Sequence, residues 1–276
     1  MSVNSKGLTR RQVFEQKLKR RSIFLAAIST SAVFLALVAL IPMAPGWEKV
    51  KQSFFNWDVM VKTFPKLLSA FLMDVAIFAW SVPLIAALGL AIALARDVRN
   101  PALYPLRMFG ALYTDIFRGV PVVLVVYLVG FGIPGLGLQR PFNSPYLWGT
   151  VALVVTYAAY VAEIFRAGIE SIHQSQRNAA LSLGLSPSDS MRFVVLPQAI
   201  RRVIPAQMNI LIALQKDVAL LSFIGPVEIF RQAGVFKSLL ANFTPYVVAA
   251  AIFLIVTIPA TRLADHLISK QNRARS

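Results

Sequence analysis

Residues 178–198, NAALSLGLSPSDSMRFVVLPQ, interrupt a chain that otherwise consists of long apolar runs. Gln176 to Leu183 has the composition of a short helix, and Gly184 is placed to close it as a left-handed C-terminal cap. Ser186, Pro187 and Asp189 then open a second helix. Ser186 is the expected N-cap, Pro187 the first helical residue and Asp189 the reciprocal capping-box partner. Met191, Val194 and Val195 give that helix an apolar side, and Pro197 should push Leu196 out of helical geometry. The pattern predicts two short helices set at an angle, a compact knob at a membrane surface. Such a knob suits the transmission of force to a soluble partner, and it equally suits a loop that only joins two spans.

The rest of the chain explains why a membrane is expected. Of 276 residues 57% are hydrophobic and only 14% charged, with a mean hydropathy of +0.65. Soluble domains carry roughly a quarter charged residues. Crossing the hydrocarbon takes roughly 20 apolar residues, and six segments qualify: 23–41, 67–95, 120–138, 147–165, 203–224 and 246–263. Gly130, Gly132, Pro134, Gly135 and Gly137 should end the third helix early. The fold class is therefore an all-α integral membrane protein of about six spans. The first apolar run, longer than a secretory h-region and followed by Pro45, reads as an uncleaved anchor. Trp47, Phe54, Phe55 and Trp57 suit the interfacial depth that aromatic rings favour.

The net charge of +16 has a topological explanation. Residues 1–22, 96–118, 166–202 and 262–275 together hold twenty Lys and Arg, whereas 42–66, 140 and 225–244 hold seven. The positive-inside rule then puts both termini in the cytoplasm, which removes any need for a nucleic-acid partner. The divisions that follow are a basic cytoplasmic N-terminus (1–22), an N-terminal span with its outer segment (23–66), a core (67–265) containing the cytoplasmic segment 170–202, and a cytoplasmic tail (266–276).

Catalytic chemistry finds little support. There is no cysteine, and the two histidines, His173 and His266, lie far apart in sequence, without metal-ligand spacing. No nucleophile–base set appears, and no GxxxxGK[ST] loop that would cradle a nucleotide. No metal or cofactor is expected on this chain.

Charges inside the apolar segments carry the remaining information. Lys216 and Asp217 each cost about 2.5–3.5 kcal/mol at a helix centre, so each should face protein or water. Asn209 is seven residues before Lys216 and shares its face. Two readings stand: a translocation path lined by Asn209, Lys216 and Asp217, or an ion pair that fixes helix packing or a dimer seam. Glu163 and Arg166, three apart, form a structural ion pair. Arg118 and Asp115 flank the third span, where snorkelling accounts for them. Asp74 is placed in a water-facing site near the outer surface. Pro83 and Gly89 should kink the second span or let another helix approach.

The segment that opened this reading resembles the EAA motif of ABC importer permeases: Glu-Ala-Ala, three residues, Gly, nine residues, then Ile-x-Leu-Pro. Asn178, Ala179 and Ala180 take the first places, Gly184 falls at the required distance, and Val194, Val195, Leu196 and Pro197 complete it. Asn178 stands where the motif has Glu, which removes a negative charge. Three further segments are similar to polar amino-acid permeases: YTDIFRGVPVVLVVYLVGFGIP (113–134), AAYVAEIFRAGI (158–169) and LQKDVALLSFIGPVEIF (214–230). The resemblance spans roughly 67–265 and implies the type I importer architecture, a five-helix core plus an N-terminal helix. It further implies that the chain is the permease subunit of an ATP-driven importer for a polar or charged amino acid, in a bacterial inner membrane. Asn178, Ala179, Ala180, Gly184, Ser186, Met191, Val194, Leu196 and Pro197 would then dock on a cytoplasmic ATPase that binds the ATP. An extracytoplasmic binding protein and a second permease subunit, identical or sibling, would complete the assembly in the bilayer. The competing readings are an ATP-independent channel or secondary transporter, and a scaffold that recruits a cytoplasmic partner.

Overall fold

A computed structural model describes residues 10–98 and 100–273. The described chain is helical, and five of its helices are long and apolar enough to cross a membrane. The number rises to six when a bent pair in the middle of the chain is taken as one span. Residues 1–56 and 57–276 form two separate units by their internal contacts.

The first unit holds α1 (Arg10–Leu40) and α2 (Trp47–Phe54). In α2, Trp47, Val50 and Phe54 share one face while Glu48, Lys49 and Gln52 occupy the other. That is the pattern of a helix lying in a membrane interface.

The second unit begins with α3 (Trp57–Asp97), a helix of 41 residues. At 1.5 Å per residue it is roughly 60 Å long, well beyond the hydrocarbon, and it starts ten residues before the apolar run read from sequence. Pro65 and Pro83 lie within it without ending it. The stretch 96–118, read as a connection, instead contains α4 (Tyr104–Gly119). Pro121 separates α4 from α5 (Val122–Gly132), and the two meet at a bend of 106°. The expected straight third span is thus half of a broken one. Val120 and Pro121 leave the helical region, at ψ 132° and 135°, and Pro121 supplies no amide hydrogen, so the ladder of α4 stops there. The glycine-rich stretch ends α5 at Gly132 as expected.

α6 (Pro145–Glu170) is the central helix, packed against α3, α4, α5 and α9 (Leu196–Asp217). Its buried face is rich in small residues, among them Gly149, Ala152, Ala158, Ala159, Ala162 and Gly168. Small side chains let helix backbones approach closely, which drives packing in lipid. Gly89 shows how close: a Cβ there would lie 2.5 Å from Val161 Cγ1 and 3.1 Å from the Ala158 carbonyl. Ile85, Val126, Leu153, Leu214, Val218 and Leu221 fill the space around α6. A second cluster joins Leu67, Ala70 and Phe71 of α3 to α10 (Ile229–Leu240) and α11 (Thr244–Arg273).

Candidate functional site

The knob forms, with changes that the local chemistry explains. α7 spans Gln174–Ser182. It starts two residues before the expected helix because His173 caps it, Nδ1 accepting from the Ser175 amide at 3.2 Å. Gly184 adopts φ +83°, the left-handed conformation that a residue with a side chain avoids. Leu185 N–H donates to the Ala180 carbonyl and Gly184 N–H to that of Leu181, the paired bonds of a Schellman ending. Ser186 caps α8 (Pro187–Asp189), accepting from the Asp189 amide at 3.1 Å. Asp189 does not reach back to the Ser186 amide as a capping box requires. Its carboxylate accepts from the Ser186 hydroxyl at 2.6 Å.

Pro197 does not break the chain. Leu196 is helical, at φ −61° and ψ −43°, and a π-helical turn, Ser190–Val195, carries α8 into α9. The wider turn shifts the hydrogen-bond register where proline offers no N–H, and Gln198 Nε2 donates to the Val194 carbonyl at 2.9 Å. The second helix of the knob is therefore continuous with a span. A shift at the knob reaches α9 without crossing a loop.

Beneath the knob, Ala180 is 4% exposed, and Ile169, Ile172, Val195 and Ala199 form an apolar base with Leu94 and Met191 against it. Arg177 pairs with Asp97 at the end of α3, Nη1 to Oδ2 3.4 Å, a tie across 80 residues that the sequence did not signal. The outer face is open. Asn178 is exposed and accepts from Gln174 Nε2 at 3.1 Å, and Ala179, Gly184, Ser186 and Pro197 are exposed. Leu183 is 84% exposed and Phe193 61%. Neither was singled out in the sequence, although both are apolar residues among turn formers.

Behind the knob, Glu163 of α6 gathers three guanidiniums. Arg166 on the same helix bonds to Oε1, as the spacing predicted, and also to Glu170 at 2.5 Å. Arg96 of α3 donates to Oε2 at 2.8 Å and to Thr114 Oγ1 of α4 at 2.9 Å. Arg118 of α4 lies 3.5 Å from Oε2. Arg118 is therefore part of this network and not only a snorkelling charge. The expected pair is the local piece of a junction of α3, α4 and α6.

The three polar residues assigned to α9 and a possible path do not form one group. Asn209 and Lys216 are exposed along one face, and no ion pair of Lys216 occurs among the described residues. Asp217 turns toward α6, where Tyr157 donates its phenol to Oδ2 at 2.7 Å. Gln215 likewise turns inward and accepts from Thr257 of α11 at 3.0 Å. The ion pair between Lys216 and another helix, one of the two readings, does not occur within the described chain. Asp74 is also not where it was expected. It is 2% exposed and sits in the packed face of α3 toward α10.

Residues 104–273, more than half of the chain, match the family of binding-protein-dependent transport system inner membrane components. The chain belongs to that family. Among relatives of this inner-membrane component, the "Probable amino-acid permease protein YxeN" of Bacillus subtilis is 33% identical over 213 residues, covering 76% of this chain and 93% of the relative. The glutamate/aspartate import permease protein GltK of Escherichia coli O157:H7 is 30% identical over 224 residues, covering 76% and 99%. A solved structure described as an amino acid ABC transporter with histidines superimposes with a TM-score of 0.70 at 31% identity, over 78% of this chain and 98% of that one. These findings establish a multi-pass membrane transport subunit of the ABC importer type. The channel and scaffold readings give way to it.

Proposed function

We propose that this permease carries a polar or charged amino acid inward, powered by a separate ATPase that docks on the segment 174–197. The observation that carries the reading is the knob itself. Leu183 stands 84% exposed at the tip of a turn whose amides at 183, 184 and 185 are all hydrogen-bonded, above a buried base and next to the helix that runs into α9. A rigid apolar projection from a membrane protein suits insertion into a groove on a soluble partner. Asn178 and Ala179 would lie at its near edge, with Gly184, Ser186, Met191, Val194, Leu196 and Pro197 setting its shape, whereas Ala180, expected at the docking face, is buried beneath the knob.

The substrate class rests on the relatives, which include an amino-acid permease and a glutamate/aspartate permease. Both termini are cytoplasmic in this reading, following the basic residues. The exposed face of α9 that carries Asn209 and Lys216 lines the path, facing a second permease subunit, and Asp217 supports it from behind. An extracytoplasmic binding protein delivers the substrate. Nucleotide and loaded binding protein must each prefer one conformation, because a ligand bound equally by both shifts neither.

The test is retention of the ATPase in a mild-detergent purification from native membranes. Gly184→Pro fixes φ near −65° where +83° is needed, while a side chain at this position would meet no neighbour within 4 Å. The variant is expected to insert normally and to lose the ATPase. An intact, fully coupled complex with this variant would refute docking through the knob.

A further inference from the structure

Asp74, on the packed face of α3, and Glu228, at the start of α10, are electrostatic neighbours. Both are buried, Asp74 at 2% exposure and Glu228 at 0%. Glu228 is well held: its carboxylate caps α10, accepting from Phe230 N–H at 2.8 Å and Arg231 N–H at 2.6 Å. Asp74 is not held. Neither of its carboxylate oxygens has a well-formed hydrogen bond, and the Ile229 amide is the one backbone donor that acts on it.

Among the described residues no cation pairs with it. The α3 residues one turn back, Ala70 and Phe71, pack with Ile229 and Ala233 of α10 and with Val248, Ala249 and Ile252 of α11. Tyr246 of α11 borders the same cluster. Glu228 is the charged group that acts on Asp74, with the Ile229 amide beside it. Arg231 is turned away, its Nη1 donating to the Ser222 carbonyl at 2.9 Å.

An ionised carboxylate in such a place carries a desolvation cost that in practice is met by neutralisation. A second carboxylate next to it makes double ionisation worse, so such a pair keeps one proton. We propose that Asp74 and Glu228 form a proton-binding site, holding one proton between them and thereby linking α3 to the first turn of α10. With the proton present only one negative charge is buried there. Once it is lost, two buried negative charges repel, and the connection between α9 and α11 loosens from α3. Supporting this, burial pushes the Glu228 carboxyl up to about 7, against the pull of its two backbone donors and Arg231. The inference does not depend on the identity of the transported substrate.

The sign of the effect follows from linkage. The folded pair binds a proton that the unfolded chain releases at lower pH, so stability is present at low pH and falls as pH rises through neutrality. The experiment uses the full chain in lipid nanodiscs, comparing wild type with Asp74→Asn, which keeps the shape without the charge. The infrared carbonyl stretch of a protonated carboxyl group is expected in wild type at pH 6, lost toward pH 9 and weaker at pH 6 in Asp74→Asn, where the Glu228 carboxyl alone contributes. The thermal midpoint of wild type should drop by about 5 °C more than that of the variant over the same range. Absence of the protonated-carboxyl band at pH 6, readable on wild type even if the variant fails to assemble, overturns the proposal. So does a midpoint that rises with sodium in place of choline at fixed pH, which would show a metal cation in the proton's place.

Discussion

Glu163 and Asp74 are both carboxylates on spanning helices, and the fold treats them in opposite ways. Glu163 stands at the junction of three helices and draws a guanidinium from each, with Arg96, Arg118 and Arg166 all within ion-pair distance. Asp74 is the more deeply buried of the two and faces another acid. The first arrangement ties the end of the bundle behind the knob into one rigid piece. The second leaves a contact whose strength depends on a proton. Placed in the same helical core, the two regions differ in whether the joint can be changed by solution conditions.

Removing Glu163 should have the larger effect on stability. Glu163→Ala strips three guanidiniums of their common acceptor, and Arg96, at 15% side-chain exposure, has no second acid partner among the described residues. Breaking a buried pair from one side costs about 3–5 kcal/mol. The carboxylate is 22% exposed, so the low end, about 3 kcal/mol, is expected. The thermal midpoint in nanodiscs should fall accordingly, at pH 6 and pH 9 alike. A pH-dependent loss like the one expected at Asp74 would erase the contrast between the two sites.

How much of this was legible follows the range of each interaction. Helix ends are written locally, and Gly184, Ser186 and Pro187 were read correctly from neighbours within a few residues. The pair Glu163–Arg166 was legible for the same reason. Arg96 lies 67 residues from Glu163, and no local pattern reports that α3 ends beside α6. Asp74 was misplaced because its helix is apolar on nearly every side, so periodicity does not tell which face is packed. Pro197 was misread because a proline rule describes its effect on an α-helix, whereas the chain relieves the missing N–H with a π-turn. The bend between α4 and α5 was missed because α4 is amphipathic and basic, and hydropathy alone reads such a helix as a connection.

Asp217 lies between the two extremes, an acid with one neutral donor. Tyr157→Phe would remove the phenol that donates to it at 2.7 Å. Leaving a largely buried acceptor unsatisfied costs about 1–2 kcal/mol, less than the loss expected at Glu163. A midpoint equal to wild type would mean that water replaces the phenol, and Asp217 would then belong with the open face of α9.

Lys216 should give the smallest change in stability and the clearest change in transport. It is exposed on the helix face it shares with Asn209, so Lys216→Met breaks no ion pair within the described chain, and the thermal midpoint should stay close to wild type. Substrate uptake by the assembled importer should fall, or its preference among acidic, amide and basic amino acids should shift, because a positive charge has left the wall of the proposed path. Glu163→Ala and Lys216→Met thus separate two uses of charge in a membrane. One holds helices together and is read in stability. The other, on the proposed path, should be read in uptake. Unchanged uptake and selectivity in Lys216→Met, with the midpoint lowered instead, would move Lys216 to a seam between permease subunits and leave the path to other residues.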